Sequence, residues 1–165
     1  MQWAEVIEDP SLQNLPYKIE LNRWGNIEMS PASNRHGWLQ SRLIVLLSKI
    51  LPKGEVISEC SIQTSIGIRV PDVVWCSADF LQRHGFATPY LEAPEICIEV
   101  LSPSKSRGEM DEKTVAYLAA GAHEVWLVDE FLQMEMFDAS GNLPESRFDA
   151  RIATRIAGLH PVSTS

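Results

Sequence analysis

Between Asn34 and Ile50 the apolar residues Leu39, Leu43, Leu46, Leu47 and Ile50 recur at the three- and four-residue spacing of one helix face. Ser33 stands ahead of that run as an N-cap, and Pro52 with Gly54 ends it. Three strand-like runs come next, at residues 55–62, 68–75 and 95–101. Between the last two, Ser77 can cap a short helix that runs through Leu81 and stops at Gly85. Residues 107–120 make the second strong helix, with Gly121 as its C-terminal stop. The VWLVD run at 125–129 has the unbroken apolar character of a buried strand, and residues 134–137 can pair with it as a hairpin. Upstream, YKIEL, NRWGN and IEM read as a hairpin in which Gly25 can take a positive φ. The first ten residues read as a short helix ending at Asp9 and Pro10, and no element is assigned after Leu143.

The core order is therefore helix, three strands, helix, strand. A helix crossing from 95–101 to 125–129 makes those strands parallel neighbours with a right-handed connection. The fold class expected is α/β, in layers around a mixed sheet, with an N-terminal β-hairpin added. No repeat, low-complexity tract or Gly/Ser-rich linker divides the chain. Residues 1–165 are expected to form a single domain with its core at about 15–138.

Composition changes this picture little, and charge complicates it. No apolar run approaches the ~20 residues that span a bilayer. The N-terminus MQWAEVIEDP has no basic region of a secretory signal, so a cytoplasmic protein with no membrane partner is expected. Cys60, Cys76 and Cys97 form no CxxC pair and sit in strand-like runs, which favours buried reduced thiols over a disulfide or zinc site. The net charge of −8 is unfavourable for approach to nucleic acid, which wants a clustered basic surface. Arg35, Arg42, Lys49, Lys105 and Arg107 would reconcile the two if they gathered on one face.

The candidate chemistry lies in acids embedded in apolar strands. In IRVPDVVW, Asp72 shares a strand face with Val70 and Val74; in EICIEVL, Glu99 sits between Ile98 and Val100. A buried carboxylate needs a cation, a set of N–H donors or a metal. Each acid can alternatively pair with a buried lysine or end its strand at a sheet edge. Glu95 falls on the same face as Glu99 but follows Pro94 at the strand start, and is expected to be solvated. On the second helix Lys113 lies among Met110, Ala116, Tyr117 and Ala120, so that stripe would aim it at the sheet, although Val115 and Leu118 form a competing stripe. A snorkelling lysine at the core edge is the alternative. Two buried acids and one inward lysine suit phosphodiester hydrolysis, in which the acids hold Mg²⁺ and the lysine orients water or stabilises the transition state.

The ordered strings RVPDVVW, APEICIEVLSPS and RGEMDEK, then a tyrosine four residues past the lysine and GAHEVWLVD, resemble the Uma-type bacterial restriction-endonuclease-like family of the PD-(D/E)xK superfamily. YKIEL and IEMSPASNRHG are similar to that group's N-terminal hairpin and helix start, so the resemblance runs from about Leu15 to Asp129. It implies the αβββαβ restriction-endonuclease-like core, with Asp72 as the PD acid and Glu99 as the second acid, both metal ligands. The superfamily lysine lies two residues after the second acid, where this chain has Leu101, and the resemblance suggests that Lys113 has taken its role.

The expected activity is that of a Mg²⁺-dependent endonuclease, with Mn²⁺ able to substitute, cutting DNA to leave a 5′-phosphate. A non-catalytic nuclease-fold interaction module, or a phosphodiesterase acting on RNA or a small phosphate ester, remains the alternative. Cutting both strands would favour a two-fold homodimer, an argument from function rather than from residues. Asp72, Glu99 and Lys113 should converge, and removing Lys113 should abolish cleavage while sparing the fold. His36, Glu20 and Tyr117 are secondary candidates, each with a structural alternative in capping, exposure or packing. The loop SPSKSR, with Lys105 and Arg107, could meet phosphate or be an ordinary turn. No P-loop, GxGxxG or GxSxG motif supports nucleotide, dinucleotide or serine-hydrolase chemistry.

Overall fold

The computed structural model describes residues 1–103 and 105–163. Helix α1 (Trp3–Glu8) leads through a 3-10 turn (Pro10–Leu12) into the hairpin of β1 (Tyr17–Asn22) and β2 (Ile27–Pro31). Next come α2 (Asn34–Ile50), β3 (Gly54–Ser58), β4 (Ile62–Thr64), β5 (Gly67–Arg69) and β6 (Val73–Ser77). The second half runs α3 (Ala78–His84), β7 (Ile96–Val100), α4 (Arg107–Ala119), β8 (Glu124–Val128), β9 (Met134–Asp138), β10 (Gly141–Leu143) and α5 (Ile152–Ala157).

Six strands form a mixed sheet in the order β10-β9-β8-β7-β6-β3, in which only β7 and β8 are parallel. The series α2, β3, β6, β7, α4, β8 is the αβββαβ order expected from the sequence. Side chains alternate along these strands, as a two-residue period requires. Val73, Trp75, Ile96, Ile98, Val100, Trp126 and Val128 pack on one face with α2 and α5. Val74, Cys76, Cys97, Val125 and Leu127 pack on the other with Phe80 of α3 and Met110 and Tyr117 of α4. Cys60, Cys76 and Cys97 are buried free thiols; burial pushes the Cys60 thiol up to about 12.

Two expected strands are each broken in two. The 55–62 run splits into β3 and β4, and the 68–75 run into β5 and β6. The halves belong to different sheets, because β4 and β5 join the hairpin in a four-stranded antiparallel sheet ordered β2-β1-β5-β4. Glu59 interrupts the first run at φ +52, outside the extended region. Pro71 interrupts the second, since it has no N–H for a ladder. Asp72 therefore stands at the step between sheets, just ahead of β6.

The stretch after Leu143 also contains an element, α5, whose Ile152 and Ile156 are fully buried beside α2. Two large apolar residues in a six-residue helix are too few to display a period. Among the described residues, no helix is long and apolar enough to cross a membrane.

Gly67 locks the small sheet to β1. Its φ is +108, and a Cβ added there would lie 2.1 Å from the Leu21 carbonyl oxygen. Gly67→Ala is expected to cost about 2–4 kcal/mol from backbone strain and overpacking. Urea unfolding measures this, and an unchanged midpoint would mean that the β1–β5 contact yields freely.

Candidate active site

The step at Pro71 places Asp72 against β7. Val73 pairs with Ile98 and Val74 with Cys97, so Asp72 falls opposite Glu99 when the register is continued. The Val100 amide donates to Asp72 Oδ2 at 2.7 Å, so the side chain replaces the ladder partner that the bent backbone cannot offer. The Asp72 carbonyl in turn accepts from Gln40 Nε2 at 2.9 Å and from the Glu59 amide at 3.2 Å. Both carboxylates are buried, Asp72 at 1% and Glu99 at 0% exposure, and both point to the α4 side of the sheet.

Helix α4 turns Met110, Lys113, Thr114, Ala116 and Tyr117 inward and leaves Val115 exposed, which settles the two competing stripes in favour of the first. Lys113 Nζ lies 3.2 Å from Glu99 Oε1 and 2.9 Å from Glu20 Oε2. The Tyr117 hydroxyl donates to Glu99 Oε1 at 2.8 Å. Glu20 is buried, not an exposed strand residue, and also accepts from the Val70 amide at 2.8 Å. His36, at the start of α2 behind its Ser33 cap, brings Nε2 to 3.3 Å from Asp72 Oδ1.

The cation that joins the two acids is not among the residues expected from sequence. Lys18 Nζ lies 2.8 Å from Asp72 Oδ1 and 3.3 Å from Glu99 Oε2. The signal was present in YKIEL: Lys18 and Glu20 share one face of β1, and both are largely buried. On a hairpin, however, a charged alternate face reads as solvated. Lys105 completes the cluster, with Nζ 3.5 Å from Glu99 Oε2, a buried ammonium without a hydrogen-bond partner among the described residues. Arg107 instead faces outward to Asp111 and Glu135, and Ser104 of the same loop lies outside the described residues.

Three carboxylates (Glu20, Asp72, Glu99) thus meet three ammonium groups (Lys18, Lys105, Lys113). Burial opposes the charge on Glu99, but Lys113, Lys18 and Lys105 outweigh it and hold its carboxyl well below the ordinary range. Burial likewise opposes the charge on Lys18, yet the Glu99, Asp72 and Glu20 carboxylates raise it above the usual lysine value. Lys113 follows the same balance, with Glu99 and Glu20 prevailing over burial. This changes one expectation: removing Lys113 takes a cation from two buried carboxylates, leaving Glu99 to Lys18 and Lys105 and Glu20 to Arg69, so its loss is expected to lower stability instead of sparing it. Glu95 is corrected as well. It is half-buried and accepts from the Ser77 amide at 3.1 Å and from the Ser77 hydroxyl, instead of standing in solvent.

The site opens into a cleft of about 360 Å³ whose lining includes Lys18, His36, Asp72, Ser102, Lys105 and Glu109. Among the described residues, no three Asp, Glu, His or Cys side chains cluster as a ready metal shell. The donor chemistry still fits a hard divalent cation. Asp72 Oδ1 and Glu99 Oε2 already share one cation, the Lys18 ammonium, and Mg²⁺ takes one or two carboxylates with water and phosphate completing its shell. Occupation requires that ammonium to withdraw.

The family described as "Uma2: Putative restriction endonuclease" matches residues 4–150, and the chain belongs to it. Among solved structures, the fold is similar to a "putative nuclease belonging to DUF820" from Anabaena variabilis ATCC 29413. The two share 20% identity at a TM-score of 0.69, over 95% of this chain and 97% of the other. No curated protein matches. Family and fold together support a nuclease.

Proposed function

We propose that the chain is a divalent-metal-dependent endonuclease that hydrolyses phosphodiester bonds of DNA. The observation that carries this reading is the pairing of Asp72, just ahead of β6, with Glu99 on β7, both buried and sharing one cation at 2.8 and 3.3 Å. Asp72 and Glu99 are the groups to hold Mg²⁺ or Mn²⁺. Bound there, the metal supplies Lewis-acid stabilisation of the phosphoryl oxygens and a more acidic water.

The chain's own residues prepare that chemistry. Lys113 and Tyr117 engage Glu99 Oε1 and leave Oε2 to Lys18 and Lys105, two residues of the cleft lining. We assign to Lys113 the part of the superfamily lysine absent at Leu101. His36 and the Val100 amide fix the Asp72 carboxylate. We assign to Lys105, a buried donor in the cleft lining without a hydrogen bond among the described residues, the contact with a phosphoryl oxygen. Water adds its oxygen to phosphorus and gives up a proton to solvent, the P–O3′ bond breaks, the leaving O3′ takes up a proton from solvent, and the phosphate stays on the 5′ oxygen of the downstream fragment.

The purified chain is expected to cut plasmid DNA in Mg²⁺ or Mn²⁺. Asp72→Asn keeps the acceptor for Val100 but removes the charge, and should slow cutting by about 10²–10³-fold, the scale of a lost electrostatic group. Gel assays of both proteins test this. Wild type that cuts neither DNA nor RNA, or a variant that cuts as fast, defeats the proposal; cutting of RNA alone moves the substrate. One observation favours a non-catalytic reading: Lys18 bridges the two carboxylates at the position a metal would take.

A further inference from the structure

The chain's positive charge is not spread evenly. Residues 29–54 contain four basic residues and no acid, so the net −8 is held as +4 there and −12 in the remainder. The fold sharpens this segregation. Nine of the 14 Lys and Arg side chains form ion pairs with carboxylates. The other five, among the described residues, are Arg35, Arg42, Lys49, Lys53 and Arg155.

These five belong to a single region. Arg35, Arg42 and Lys49 are seven residues apart on α2, which returns each to nearly the same side of the helix about 10 Å further along. Lys53 lies in the turn to β3, and Arg155 lies on α5, which packs against α2. Arg35, Lys49, Lys53 and Arg155 are exposed, while the Arg42 guanidinium lies 5.8 Å from the Trp38 ring centroid. Neither helix carries an acidic residue. The row begins at the candidate site, because His36, next to Arg35, reaches Asp72.

We infer that this cationic ridge on α2 and α5 is the surface on which the phosphate backbone of duplex DNA lies, leading a strand toward the Asp72–Glu99 cleft. The inference rests on the nuclease reading above and deepens it by naming the docking face. A polyanion is the partner selected, since every other cation of this acidic chain is already matched by a carboxylate. The ~21 Å from Arg35 to Lys49 spans about a dozen phosphates of a duplex, which carries a charge every ~1.7 Å. Contacts of this kind are sequence-independent and release counterions.

The test uses the full chain in chelator, where cutting is off. Anisotropy of a labelled duplex of about 20 base pairs is followed between about 50 and 200 mM salt. Arg42→Gln, Lys49→Gln and Lys53→Gln together should lower the slope of log affinity against log salt by about 3 and weaken binding at least about tenfold. The combination Arg23→Gln, Arg83→Gln and Arg151→Gln removes the same net charge from ion-paired positions elsewhere and should change the slope little. Hydrolysis of bis(p-nitrophenyl) phosphate in Mn²⁺, which is too small to reach the ridge, should be unchanged in the ridge variant. Equal losses in both combinations, or none in the ridge variant, overturn the ridge while leaving the nuclease reading intact. Wild type that ignores the duplex yet hydrolyses the small ester overturns it too. Failure of both assays in wild type removes the nuclease reading along with it.

Discussion

Exchanging Glu99 for glutamine is expected to lower the stability of the metal-free protein by about 3–5 kcal/mol, the scale of a broken buried ion pair. For a chain of this length that is a fall of roughly 10 °C in the thermal midpoint. Glu99 is the one carboxylate that meets Lys18, Lys105 and Lys113 together. The amide would leave three ammonium groups facing only Glu20 and Asp72. Asp72→Asn should cost less, because its oxygen can still accept from Val100 and Lys18 keeps Glu99 as a partner.

The pH dependence carries a definite sign. The folded Glu99 carboxyl lies well below its ordinary value of 4.5, so its contribution is full above that value and is lost as pH falls through the depressed one. The gap between wild type and Glu99→Gln should therefore persist at neutral pH and narrow only in strong acid. Thermal unfolding of both proteins in chelator across pH measures it. A glutamine variant as stable as wild type at neutral pH, or one less affected than Asp72→Asn, would contradict the network described.

Much of the fold and part of the site could be read from the chain before any coordinates. Asp72 and Glu99 betrayed themselves because a carboxylate inside an apolar strand must find a partner. Lys113 did so through its place on a stripe with Met110 and Tyr117, although Val115 and Leu118 offered a rival stripe that only packing could reject. Lys18 stayed hidden because the face it occupies is buried only once β1 joins β5 and α4 closes over it. No local pattern records that closure. The break at Glu59 was silent, since nothing in the local pattern marks the step from one sheet to the other, whereas Pro71, which has no N–H for a ladder, was a signal that the apolar run around it masked. The basic ridge was half visible. Arg35, Arg42 and Lys49 were grouped correctly with a helix, but Lys105 turned out to be buried against Glu99, and Arg107 to be paired with Asp111 and Glu135. Charge on a long side chain is placed by what it meets, and that is a tertiary fact.

Lys18 is also where the proposed metal dependence can be read without measuring cleavage. Its ammonium sits 2.8 Å from Asp72 and 3.3 Å from Glu99, whereas Mg²⁺ would need oxygens at about 2.0–2.1 Å, so the two cations exclude each other. In chelator, Lys18→Met should lose about 3–5 kcal/mol, since methionine keeps the apolar stem but leaves two buried carboxylates short of a cation. Adding Mn²⁺ should then restore stability. A site filled at about 100 times its dissociation constant contributes about 2.7 kcal/mol. Wild type should gain less from the same Mn²⁺, because part of the binding free energy goes into displacing the ammonium. Lys113→Met is the control: it also uncovers buried acids, but it leaves Lys18 between Asp72 and Glu99, so Mn²⁺ should help it no more than wild type. Thermal midpoints of the three proteins with and without Mn²⁺ decide the matter. A Lys18→Met variant that is destabilised yet indifferent to Mn²⁺ would make the Asp72–Glu99 pair a purely structural ion-pair cluster and would sink the metal-dependent nuclease reading.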